Sequence, residues 1–270
     1  MPPPTDRLAR RAEQSNWIDR AVGLGLIAYG IVHVVVAVLA IQLALGDHSE
    51  KADSTGALHE IAQQPLGEVL LWGVALGMFL LVAWRLLQVV LGDPDADSAA
   101  QEWLGRGAHL GTAVIYGAIG GSALKVLLGS SGSQGTDGPT ARLMNLPAGQ
   151  WLVGAAGVLV VGFALWMAWY GASGRHAEHL AAKGKRGQIG TVYLALGTAG
   201  YLAKGVAIGL VGALFVYAAV THDPTKSGGL DVALAKVLQQ PFGSYLLIVL
   251  GLGIGCYGLF CFATARHLRR

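Results

Sequence analysis

Six apolar runs constrain this chain more than any other feature. They lie at residues 21–45, 66–91, 108–128, 151–170, 192–220 and 245–263. A helix needs about 20 apolar residues to cross the hydrocarbon core of a bilayer, so each run is long enough to span. The runs are continuous rather than alternating, which excludes the ten-residue period of a membrane barrel. Only 13% of the 270 residues are Asp, Glu, Lys or Arg, about half the share usual in soluble domains. So little charge cannot cover a water-exposed surface, and 53% hydrophobic residues exclude disorder. The expected fold class is all-α and integral to the membrane, with six transmembrane helices. The first run follows Arg7, Arg10 and Arg11 but is too long for the apolar segment of a signal peptide, so it reads as a retained span.

Lys and Arg placement gives an orientation. The flanks on the side of the termini carry thirteen of these residues and the opposite loops carry four, Lys51, Arg142, Lys226 and Lys236. The excess marks the cytoplasmic side. Both termini are therefore expected in the cytoplasm of a plasma-membrane protein.

The runs fall into three similar hairpins. The odd-numbered runs carry Ala28-Tyr29-Gly30, Ile115-Tyr116-Gly117 and Ala203-Lys204-Gly205, with the glycines 87 and 88 residues apart. Each loop before an even-numbered run ends in Pro-x-Gly, at Pro65-Leu66-Gly67, Pro147-Ala148-Gly149 and Pro241-Phe242-Gly243. Two spans return the chain to its starting side, so the repeats are parallel, and a pseudo-threefold bundle about the membrane normal is the simplest assembly. The expected organisation is a tail at 1–15, repeats at 16–92, 93–172 and 188–265, a basic linker at 173–187 and a tail at 266–270.

Before the first and third Pro-x-Gly lie short amphipathic pieces. Ser54 or Thr55 is expected to cap one with Leu58, Ile61 and Ala62 on its apolar face, and Asp231 the other with Leu234, Val237 and Leu238. A shorter counterpart occupies residues 140–146. Such pieces lie at the membrane interface or tuck in as re-entrant turns, the interface being the commoner outcome. The prolines suit the first turn of the spans that follow. Glycines four apart, as at Gly73–Gly77, Gly107–Gly111, Gly117–Gly121, Gly205–Gly209 and Gly251–Gly255, suit close helix crossings.

The threefold hairpin, with Ala-Tyr-Gly or Ala-Lys-Gly in its first helix and Pro-x-Gly before its second, resembles a bacterial membrane family, domain of unknown function 1206. The resemblance covers nearly the whole chain, from Trp17 to Ala265. It implies two spans per domain, usually three domains per chain, and a plasma-membrane protein of Gram-positive-type bacteria. It supplies no reaction. The family pattern favours a basic residue before the motif glycine. Lys204 keeps it, whereas Tyr29 and Tyr116 depart.

Polar groups inside an apolar span are costly and so mark candidate sites. Lys204, Tyr29, Tyr116 and His33 form the candidate set. Lys204 either snorkels to the headgroups, forms an internal salt bridge, or joins Tyr29 and Tyr116 around an anion or proton site in a half-cavity on the cytoplasmic side. Snorkelling is slightly favoured. His33 is expected as a neutral imidazole bonded to a carbonyl or hydroxyl, with a proton relay as the alternative. His176 and His179 share a face of the basic linker, which reads as a surface for anionic lipid. Cys256 and Cys261, five apart on one helix, are too far separated to bridge. No metal set, cofactor box or catalytic signature occurs in the sequence. The expectation is a non-enzymatic protein without a cofactor, most simply a scaffold or accessory subunit of a membrane complex. The alternative is a transporter or channel for a small solute, ion or lipid along the threefold axis. Other membrane subunits or further copies of the chain are expected partners, and nucleic acid is not.

Overall fold

A computed structural model describes residues 16–47, 50–92, 98–129, 144, 146, 148–175 and 187–267. Its long helices are α1 (Asn16–Ala44), α3 (Gly67–Leu91), α4 (Ala99–Leu127), α5 (Gly149–Ala172), α6 (Gly187–Thr221) and α8 (Gly243–Arg266). Two short helices, α2 (Ser54–Gln63) and α7 (Leu230–Leu238), precede α3 and α8. The protein is all-α, and its six long helices are long and apolar enough to cross a membrane. They present large apolar side chains outward, such as Trp72, Trp151, Leu159 and Val249. Lipid accepts such a surface, and water does not.

The helices pack in an ordered set of pairs. Contact is most extensive for α3 with α4, α5 with α6, and α8 with α1, while α1 also packs on α3 and α6 on α8. Thus the second long helix of each repeat lies against the first long helix of another. The motif glycines sit at these contacts. A Cβ added to Gly30 would lie 2.8 Å from the Gly258 carbonyl oxygen of α8, and one on Gly205 would lie 2.9 Å from the Ala164 oxygen of α5. Gly117 faces Val82 of α3 more loosely, at 3.8 Å. Of the other four-apart glycines, Gly77, Gly209, Gly251 and Gly255 meet neighbouring helices, whereas Gly73, Gly107, Gly111 and Gly121 face open space.

The first and third Pro-x-Gly are tight turns built the same way, and Ala148 of the second shares their middle-residue conformation. The middle residues Leu66, Ala148 and Phe242 are left-handed, with φ of 67°, 62° and 59°. The Gly67 and Gly243 amides donate to the Gln64 and Gln240 carbonyls, both at 2.8 Å. Proline at the second position and positive φ at the third describe a type II turn. Pro65 and Pro241 therefore precede the helix cap and do not occupy the first helical turn, a correction to the sequence expectation. The glycines are required by contact: a Cβ on Gly67 would lie 2.5 Å from the Ile61 and Ala62 oxygens, and one on Gly243 2.3 Å from the Leu238 oxygen. Each short helix is thus clamped end-on against the start of the next span.

The short helices tuck inward instead of resting on the interface. Leu58 and Leu234 are fully buried, with α2 against α1, α3 and α4, and α7 against α6, α8 and α1. Their caps also differ from expectation. Asp53 caps α2, its carboxylate accepting the Gly56 amide at 2.8 Å. The cap of α7 is Gly229, and Asp231 sits in its first turn. Residues 140–146 fall almost wholly outside the described residues, as do the linker histidines His176 and His179.

Candidate functional site

The α6 helix carries Lys204 near the middle of its apolar span, Gly190–Thr221. The ammonium turns inward. Its Nζ donates to the Tyr29 hydroxyl at 2.6 Å, and lies 3.9 Å from the centre of the Tyr257 ring and 4.7 Å from that of Tyr29. Snorkelling to the lipid surface, the slightly favoured expectation, is thereby overturned. Aromatic faces carry negative charge density and partly replace water around a cation. Among the described residues the ion pairs are Lys51–Asp231, Arg106–Glu102 and Lys226–Asp223. None of them reaches Lys204.

His33 follows Tyr29 by one helical turn on α1. Its Nδ1 lies 2.9 Å from the Tyr29 carbonyl oxygen, so that nitrogen carries the hydrogen and Nε2 is the uncommitted one. The carbonyl partner agrees with the sequence expectation. The ring also packs against Tyr29 and Tyr257, with centroids 4.2 and 5.0 Å away. Tyr116 on α4 completes the set, its ring 5.0 Å from that of Tyr29. Three of the four residues singled out from the sequence, Lys204, His33 and Tyr116, therefore meet around the fourth, Tyr29.

Beside this cluster is a cavity of about 290 Å³. His33 and Lys204 line its inner end, Val36, Ala207, Ile208, Val211 and Ile254 its walls, and Ser54 and Leu230 its end under the short helices. The cavity thus occupies the half of the bundle toward the Pro-x-Gly turns. The sequence placed it in the half toward the termini. The reason for the difference is steric: one turn closer to the termini, Tyr29, Tyr201, Tyr257 and Cys261 fill the space. Tyr201 and Tyr257 pack edge to face at 5.2 Å, and the Cys261 thiol lies against Tyr257.

Beyond the tyrosines, Arg85 on α3 meets α4. Its Nη1 lies 3.2 Å from His109 Nδ1 and donates to Gln88 Oε1 at 2.8 Å. Sequence reading missed Tyr257, Tyr201 and Arg85 as members of this polar core. The Tyr257-Gly258 pair repeats the Tyr-Gly of the first two motifs and was the available signal. Arg85 is one of the thirteen Lys and Arg residues on the side of the termini. Among the described residues, no three His, Cys, Asp or Glu side chains gather as a metal set.

Two loop carboxyls outside the spans have shifted acidities. Burial pushes the Asp53 carboxyl above its ordinary value, against the opposing pull of the Gly56 amide. The Thr225 hydroxyl and amide hold that of Asp223 below its ordinary value.

Comparison with known proteins places these features in a family. The profile described as Domain of Unknown Function (DUF1206) matches three segments, residues 24–92, 108–174 and 199–267. The chain is similar to "Uncharacterized protein YxxB" of Bacillus subtilis (strain 168), 30% identical over 252 residues, covering 93% of this chain and 91% of that protein. No solved structure matches.

Proposed function

This chain belongs to the DUF1206 family of bacterial membrane proteins, and from that premise we propose that it binds a small solute inside the bilayer and conducts it, without chemical change, through the helix bundle. One observation carries the reading. A 290 Å³ cavity joins the segments under the Pro-x-Gly turns to Lys204 and His33. That volume is at the lower end of small-molecule sites, which begin near 300 Å³. An ionisable side chain lining an intramembrane cavity marks a solute or ion path more often than a structural strut. On this reading the tyrosine layer closes the path toward the termini, and Arg85 with His109 forms the polar exit beyond it.

The proposed architecture is a pseudo-threefold arrangement of hairpins, supported by the like pairing of α3 with α4, α5 with α6, and α8 with α1; among the described residues the run of contacts is open between α4 and α5 of the second repeat. The termini and the basic linker face the cytoplasm, following the charge bias, and the linker rests on anionic lipid. The scaffold reading ranks second. Its support is the open glycine face of Gly107 and Gly111 on α4, a shape that suits a neighbouring transmembrane helix.

Cysteine accessibility tests the proposal. Ser54→Cys and Val211→Cys should each react in intact cells with a membrane-impermeant methanethiosulfonate, above the level of the unsubstituted chain. Failure of both to react would mean a sealed void and would defeat the solute reading. Recovery of stoichiometric partner subunits with the tagged native protein would favour the scaffold.

A further inference from the structure

We infer that the cavity takes a small monocarboxylate, with its charged end on Lys204 and its hydrocarbon body along α1, α6 and α8. The inference rests on the solute reading above and names the class of solute. Lys204 contributes the charge. An ammonium has three N–H donors, and the Tyr29 hydroxyl takes one. No carboxylate pairs with it among the described residues. A charge buried without a counter-ion is expensive, and a bound anion would supply one within reach of the remaining N–H donors.

The walls select the rest of the molecule. Val36, Ala207, Ile208, Val211 and Ile254 offer no hydrogen-bonding side chain. A free phosphate would place a second charge and several acceptors against these walls, where nothing answers them. An alkylammonium would be repelled by Lys204. A neutral alcohol or amide would fill the volume but leave the ammonium unpaired. A carboxylate with a short alkyl tail matches both ends, since each methylene buried contributes about 0.8 kcal/mol. His33 lines the same end and offers a second polar contact. At the mouth the fixed charges are already committed. Lys51 lies 3.7 Å from Asp231, and the Asp53 carboxylate is engaged by the Gly56 amide. Selection therefore falls to Lys204.

The test uses the full-length protein carrying Val211→Cys in phosphatidylcholine vesicles, with N-ethylmaleimide as an uncharged thiol probe. Hexanoate should slow the labelling about tenfold near saturation, following the factor 1 + [L]/Kd. Hexanamide and hexylamine at the same concentrations should not. Adding Lys204→Met should abolish protection by hexanoate while labelling persists. Lys204→Arg keeps the charge and should retain protection, which covers the case in which the methionine variant fails to fold. Equal protection by hexanamide, or protection that survives Lys204→Met, overturns the inference. So does protection by a long-chain fatty acid without protection by hexanoate. If Val211→Cys does not label at all, the solute reading itself has failed.

Discussion

Tyr29 organises the polar core with three different parts of itself. Its hydroxyl accepts from Lys204, its carbonyl accepts from His33, and its ring packs on Tyr116. Tyr29→Phe removes only the first. Hydrogen bonds between membrane helices contribute roughly 0.5–2 kcal/mol, because the unfolded chain in the membrane also finds partners. A double-mutant cycle of Tyr29→Phe with Lys204→Met should recover a coupling in that range from detergent unfolding, and additive effects would refute the bond. Asp53 supplies a pH-dependent case. Its folded-state carboxyl is pushed up by burial, so the folded protein holds a proton that the unfolded chain releases. The stability gained is complete below the ordinary carboxylate range and is lost as pH rises from about 4 through the folded-state value. Asp53→Asn keeps the oxygen that caps α2 and removes the titration. Its melting temperature should vary less with pH over that interval than that of the native protein.

The turns are the elements on which the short helices depend. A Cβ at Gly67 or Gly243 would collide with carbonyl oxygens, which are backbone and cannot rotate away. Gly67→Ala and Gly243→Ala should each lower thermal stability strongly, by about 2 kcal/mol or more, as strained backbone sites do. The residue before each glycine behaves oppositely. Leu66 and Phe242 hold positive φ and are about three-quarters exposed. Leu66→Gly relieves a left-handed conformation costing roughly 1–2 kcal/mol. It should leave stability unchanged or raised, unless the leucine anchors the turn in lipid. Comparing the variant in detergent and in vesicles separates those two effects.

Across the whole molecule the order of helices is open to direct test. Cβ positions built on Gly120, Gly209 and Gly255 lie 3.1, 3.5 and 3.4 Å from the Cβ atoms of Met78, Ala164 and Ala37. Disulfides need Cβ atoms about 3.5–4.5 Å apart. The 164–209 pair sits at the lower bound of that range and the 37–255 and 78–120 pairs lie 0.1 and 0.4 Å below it, so cysteine pairs at these positions should cross-link α5 to α6, α8 to α1 and, after a slight separation of the helices, α3 to α4. Protease cleavage in the loops followed by non-reducing electrophoresis reads the result. Absence of the 37–255 link alone would mean that the bundle does not close between its first and last repeats.

The sequence by itself determined the elements and their kinship. Continuous apolar length dictates helices in a bilayer, because every backbone group must be satisfied within its own segment. Two short motifs recurring together three times exposed the repeat. It also picked out Lys204, Tyr29, Tyr116 and His33, since polar atoms stand out in an apolar span. What it could not decide was direction. Helical spacing fixes which residues share a face, and the neighbouring helix fixes what that face meets. Lys204 has a stem long enough to reach either the headgroups or the interior. The tertiary structure settled the matter by placing the hydroxyl of Tyr29 and the ring of Tyr257 beside its ammonium. The side of the cavity was decided in the same way: the rings of Tyr201 and Tyr257, with Cys261, come from helices distant in the chain from α1 and fill one half of the bundle. The short helices were pulled inward by a contact no spacing rule encodes, in which Gly67 and Gly243 touch the last carbonyls of α2 and α7.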